Sequence, residues 1–329
     1  MMPQIPWIIM QRIYDAILRL RALREGEQAV LDLVACGPSA VEPLREFLFL
    51  RDSSGMFQPR CQAVEALMAL GAKDVLLAFL TQQRDVADPV EQAGEDAVTN
   101  AVARALSRWQ EDHIFSLLLE IGRHKLLAGV VEALGNYRRE EAVPIFAAAL
   151  GDDFCRPAAE KAFRKLGASS CPCLLQLARD RTPSLDAESE SSRRRRRSAL
   201  RLFVELQQGE DLLVIMRSYL ADADSQVVLL ACSIYLLKGS PAEQEKVAAR
   251  LINLFSNSDW ILHEEVEELL IQQYANCRAV IEKRLTQSHE PATASLRRVV
   301  MKGCATLGLP LPQYLLHEIE MNRKADSTL

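Results

Sequence analysis

One pattern returns along this chain, and it leaves few folds open. Read from Arg60 it is Arg-x-x-Ala-x-x-Ala-Leu-x-x-Leu-Gly, carried by Arg60, Ala63, Ala66, Leu67, Leu70 and Gly71. It comes back as Arg156, Ala159, Ala162, Phe163, Leu166 and Gly167, and again as Arg297, Val300, Gly303, Cys304, Leu307 and Gly308. With the second small residue as a register mark, the marks are Ala66, Ala105, Ala133, Ala162, Ala199, Ala231, Leu269 and Gly303. They stand 28 to 39 residues apart and close to 34 on average, the length of a helical hairpin with its two turns. Such a hairpin cannot bury its apolar face alone, so successive hairpins must stack over one continuous core. Small residues at the marks let neighbouring helices come close.

Composition fits this reading. Hydrophobic residues make up 49% of the 329 and aromatic ones only 6%, so Ala and Leu fill the core rather than large rings. A net charge of −5 argues against nucleic-acid binding over the whole surface, and leaves room for a local basic patch. The eight cysteines, at 36, 61, 155, 171, 173, 232, 277 and 304, sit mostly among Ala and Leu. That is the setting of free buried thiols, and it points to a reducing, cytoplasmic location. Cys171-Pro172-Cys173 lacks the two-residue gap of a zinc or redox pair. The apolar run over residues 1–10 is cut off by Gln11 and Arg12, which fits neither a signal peptide nor a membrane span. With Ile13, Tyr14, Ile17, Leu18 and Leu20 it reads as a helix capping the first repeat.

A second helix type lies between the marks. Ala40-Val41-Glu42-Pro43-Leu44 and Ala142-Val143-Pro144-Ile145-Phe146 are near copies, and Ser170-Cys171-Pro172-Cys173-Leu174 is a looser one. Each places Pro in a first helical turn, where its missing N–H costs nothing. Asp-rich turns follow, at Asp52, Asp152, Asp153, Asp180, Asp222, Asp224 and Asp259.

A helix with Ala-Val-x-Pro-Leu, an Asp turn and then the Arg-Ala-Ala-Leu-Leu-Gly helix resembles the HEAT repeat. The match is closest to the bacterial HEAT-like variety named after phycobilisome lyase subunits, and it covers about residues 38–308. The resemblance implies an all-α fold, a right-handed α-α superhelix of the armadillo type with about eight helical hairpins. Capping helices over 1–37 would precede this solenoid, and a cap helix and tail over 309–329 would follow it. It also implies that the second helix of each hairpin lines a concave face, near 58–70, 95–108, 124–135, 155–166, 193–206, 225–238, 261–274 and 293–306. In that family the repeat Arg bonds to Asp groups of its own or a neighbouring repeat. Arg60, Arg156, Arg193 and Arg297 are therefore expected to be structural. The stretch Val227-Val228-Leu229-Leu230-Ala231-Cys232 is apolar nearly all round, so its helix is expected to be the most buried, or to put an apolar stripe on the groove.

Residues 181–192 break the pattern with a polar stretch, read as an exposed loop on a working face. Five arginines follow it. With Arg193 given to the repeat, Arg194, Arg195, Arg196, Arg197 and Arg201 remain, and consecutive helical residues cannot all face the core. Lys161, Arg164 and Lys165 on the preceding concave helix would join them in one partner-binding patch. Its ligand would be an acidic peptide, a phosphate or a nucleic-acid backbone. Against this, Asp186, Glu188 and Glu190 are placed to fold back and neutralise the run. No aromatic residue interleaves with it, which disfavours single-strand stacking.

Other chemistry is thin. His263-Glu264, His289-Glu290 and His317-Glu318 resemble in composition the iron ligands of deoxyhypusine hydroxylase, a HEAT-fold enzyme, but only His263 falls in register, so no metal is expected. The acidic run Glu264, Glu265, Glu267 and Glu268 suits a helix N-terminus, or gives the groove a negative end. Trp109 and Trp260 read as packing anchors. There is no phosphate loop and no nucleophile elbow, and no cofactor is expected. The function expected is a non-catalytic scaffold holding a protein or acidic peptide, with no membrane association. Nucleic-acid binding through 156–201 and an enzyme subunit akin to bilin lyases are the alternatives.

Overall fold

The computed structural model describes residues 7–22, 24–51, 54–82, 86–184, 187–207, 212–257, 260–287 and 292–316. These residues are helical, apart from turns and one pair of two-residue strands. The chain divides into two compact units, Met1–Leu206 and Gln207–Leu329. No helix among the described residues is long and apolar enough to cross a membrane. Asp52, Asp186, Asp259, His289, Glu290, His317 and Glu318 lie outside the described residues, as does the tail from 317.

The first unit opens with α1 (Trp7–Arg19) and α2 (Gly26–Ala35). Five hairpins follow: α3 (Val41–Phe49) with α4 (Gln58–Ala69), α5 (Lys73–Thr81) with α6 (Pro89–Leu106), α7 (Asp112–His124) with α8 (Ala128–Tyr137), α9 (Val143–Ala149) with α10 (Arg156–Leu166), and α11 (Cys171–Arg179) with α12 (Glu190–Leu206). The even helices form one layer, since α2, α4, α6, α8, α10 and α12 each pack on the next. Each odd helix from α3 onward packs on the even helix that follows it, and α5, α7 and α9 touch in turn. The expected second helices are therefore the even layer.

Small residues set the spacing of that layer. Ala66, Ala105, Ala133, Ala162 and Ala199 are all buried. A Cβ added at Gly135 would stand 2.8 Å from that of Ala162, so α8 and α10 meet where neither carries a side chain larger than a methyl. The pattern's closing glycine has a separate cause: Gly71 and Gly167 both take φ +71, the left-handed conformation that stops α4 and α10. Two of the Asp turns act as expected: the Asp152 carboxylate accepts from the N–H groups of Phe154 and Cys155 at 2.9 and 2.8 Å, and that of Asp224 from the Gln226 N–H at 3.0 Å. Helix α1 covers α2 and α3 with Ile13, Ala16, Ile17 and Leu20 buried.

The second unit holds α13 (Leu212–Met216), α14 (Ser225–Lys238), α15 (Pro241–Asn257), α16 (Trp260–Gln272), α17 (Tyr274–Gln287) and α18 (Ala292–Leu307). Helix α14 packs on α15, α15 on α16 and α17, and both of these on α18. The apolar helix α14 buries Val227, Val228, Ala231, Cys232, Ile234, Tyr235 and Leu236 and leaves Leu237 exposed. The mark Gly303 is filled by the Tyr274 ring, which lies 2.4 Å from where its Cβ would stand. Leu269 is only partly buried, so the mark weakens there.

Candidate partner-binding surface

Arg60 is the structural arginine that the pattern calls for. It is buried at the start of α4, where Nε donates to the Leu48 carbonyl at 2.9 Å and the guanidinium grips Glu95 of α6 at 2.6 and 3.2 Å. It thereby ties the end of α3 to the next even helix. Its counterpart in α12 is not Arg193. Arg196 is 1% exposed, donates through Nε to the Ala178 carbonyl at 3.0 Å and reaches Glu188 at 2.7 Å. Leu48 and Ala178 are the second-last residues of α3 and α11, so the two guanidiniums fill the same slot. The register expected for α12 is therefore one turn out. Arg193 lies partly exposed, with Nη2 donating to the Glu188 carbonyl at 3.1 Å. Arg156 is likewise a surface side chain, 3.7 Å from Asp153, and Arg297 is half-buried.

The insertion is the reason for the slip. Pro183–Ser184 and Ala187–Glu188 pair as a small antiparallel hairpin, and the Ser192 hydroxyl bridges it by donating to Glu188 at 2.7 Å and accepting from the Thr182 N–H at 3.0 Å. Glu188 is thus folded back over the arginines instead of standing free in solvent. Arg194 pairs with Asp153 at 2.8 Å, and Arg195 donates to the Asp180 carbonyl and the Thr182 hydroxyl, both at 3.2 Å. Arg197 is half-buried and also engaged.

The rest of the expected patch is largely neutralised across helices. Arg164 grips Glu205 of α12 at 2.8 Å, and Lys165 donates to the Asn136 side chain on α8. Only Lys161 and Arg201 of this group are exposed with no hydrogen-bond or ion-pair partner among the described residues. We expect Arg196→Ser to cost about 3–5 kcal/mol of stability, because it takes the cation from a largely buried ion pair and leaves Glu188 with the Ser192 hydroxyl. Arg201→Ser should stay within about 0.5 kcal/mol of wild type. Urea titrations of the two variants compare them directly.

Several of the remaining candidates pack or pair within the fold. His263 stacks on Phe255 at 3.8 Å between ring centres, with Nδ1 3.1 Å from the Phe255 carbonyl. No cluster of potential metal ligands forms among the described residues. Of the acidic run, Glu265 accepts from the Gln226 side chain at 3.1 Å. Glu267 is buried under Arg298 and Lys302, which donate to it at 2.8 and 3.2 Å. Burial alone would push the Glu267 carboxyl up, but those two hydrogen bonds outweigh it and hold it below its ordinary range. Burial also lifts the thiols of Cys155, Cys232 and Cys277, each to about 12, which keeps them protonated and unreactive. Trp109 is half-buried at its turn.

An exposed apolar row in the first unit has no place among the sequence expectations. Met56 and Phe57 precede α4, Val90 lies in the first turn of α6, Leu126 precedes α8, and Phe154, 88% exposed, precedes α10. All of these stand where even helices begin; the starts of α4 and α6 touch, and the start of α8 meets α6 two turns further in. A Cβ on Gly55 would meet the Val90 side chain at 2.6 Å, Lys125 reaches Asp96 of α6 at 2.6 Å, and the Ser191 hydroxyl of α12 donates to the Gly151 carbonyl at 3.1 Å. One signal for the row was available, since Phe57, Leu126 and Phe154 each stand 7 to 9 residues ahead of a register mark. An apolar residue just before a helix ordinarily packs down as a staple, so exposure is the unexpected part.

No protein-family model and no curated protein matches the chain.

Proposed function

We propose that this chain is a HEAT-like α-solenoid, a right-handed superhelix of stacked hairpins, serving as a non-catalytic cytoplasmic scaffold for a partner protein. The observation that carries this reading is the exposed row Met56, Phe57, Val90, Leu126 and Phe154 along the starts of successive even helices. Apolar side chains repeated along one edge of a stack form a surface that a protein partner desolvates. The arginine run plays a lesser part than its sequence suggests, because its most buried member, Arg196, supports the fold. That weighs against a nucleic-acid backbone as the ligand, which needs a track of free cations.

Photo-crosslinking in the source cells tests the reading. A photoreactive residue at Phe57 or Phe154 should give one discrete protein adduct, and the same residue at Ser116, exposed on α7, should not. Phe57→Asp with Phe154→Asp should abolish the adduct while leaving the melting temperature unchanged. Equal labelling from all three positions, or none from the row, would overturn the proposal.

A further inference from the structure

The row begins at a crevice with a different chemistry. Arg21, Phe47, Leu50, Arg51, Met56 and Pro59 line it, with Arg60 beneath. Arg60 is spoken for by Leu48 and Glu95. Arg21 and Arg51 are not: both are exposed, and neither has a carboxylate partner among the described residues. The Arg21 guanidinium lies over the Phe47 ring, 5.7 Å from its centre, which holds the cation at the wall of the crevice. Leu50 and Met56 are each more than half exposed beside it. Two arginines of the even layer, by contrast, meet acids across helices: Arg104 meets Glu132 at 2.8 Å and Arg164 meets Glu205. Two guanidiniums with no carboxylate against them among the described residues thus stand over an apolar wall.

We propose that this crevice anchors an acidic segment of the partner, a peptide carboxylate followed by a large apolar side chain. The inference rests on the scaffold reading above and names the chemistry at one end of its surface. Arginine presents a planar fork that matches a carboxylate in two parallel hydrogen bonds, and partial desolvation strengthens the pair. Leu50 and Met56 accept the apolar neighbour. Beyond the crevice, packed helices stand roughly 10 Å apart and an extended chain advances about 3.3 Å per residue. An apolar residue three positions after the acid would reach Val90, whose side chain lies against Gly55. Nucleic acid fits less well, because the next cation along the row, Lys125, is already paired with Asp96.

A fluorescein-labelled synthetic peptide tests this, with two adjacent Glu residues followed by Leu at every third position. It should bind the full chain by fluorescence anisotropy. Its Gln-for-Glu counterpart should bind about tenfold more weakly, a loss of about 1.4 kcal/mol. Arg21→Gln with Arg51→Gln should weaken the acidic peptide to the same degree, and Arg51→Glu alone should do so if the double variant folds poorly. The idea is overturned if the acidic peptide does not bind, if the Glu and Gln peptides bind equally, if the arginine variants leave affinity unchanged, or if an oligothymidylate binds as tightly. Should row adducts persist in cells while the peptide fails, the crevice reading falls and the scaffold reading stands.

Discussion

Ala162→Glu is expected to unfold the first unit at temperatures where wild type is intact, with a loss of about 4 kcal/mol or more. Ala162 is 1% exposed and faces Gly135 at the closest approach of α8 and α10. The new carboxylate would enter a contact that admits only a methyl group. It would have to lose its hydration with no donor provided for it, or force the two helices apart. Separation is costly in a stacked array, because each hairpin buries its face only against its neighbours. Ala168→Glu, at an exposed position one residue past the glycine that ends α10, supplies the control and should stay within about 0.5 kcal/mol. Thermal melts followed by circular dichroism distinguish the two, and superimposable curves would refute the packing of α8 on α10.

Arg60→Met should cost about 3–5 kcal/mol, and the double change with Glu95→Met should cost less than the single one. The reasoning turns on what each change leaves behind. Arg60→Met removes the guanidinium that Glu95 grips and leaves its carboxylate, 3% exposed, without that cation. Removing Glu95 as well eliminates the stranded charge, and two thioether chains of similar volume fill the site. The residual cost of the double variant is the hydrogen bond that Arg60 gives the Leu48 carbonyl, about 1 kcal/mol. Urea denaturation of the four proteins of this cycle measures both quantities. A double variant less stable than either single one would mean that the pair is worth more than its burial costs.

Much of the helical order was legible because the cue is local. Ala at the marks, Pro in a first turn and Gly at a helix end act through their own backbone and their nearest neighbours. The second helices accordingly fall close to where the marks put them, apart from the one-turn slip inside α12. What failed was long-range. Within five consecutive arginines a shift of one turn exchanges one Arg for another, and only the Ala178 carbonyl, from a different helix, selects Arg196. The basic patch was overcounted for the same reason, as the acid that meets Arg164 comes 41 residues later. The apolar row is not legible in the sequence, because nothing near Phe154 says whether its ring turns in or out.

The carboxylates that meet the two buried guanidiniums come from opposite directions along the chain. Arg60 takes its partner from 35 residues ahead, in a helix not yet made when α4 leaves the ribosome. Arg196 takes Glu188 from eight residues behind. The last even helix of the first unit therefore waits for nothing: a nascent chain that has reached Leu206 already contains both acids that its buried arginines require.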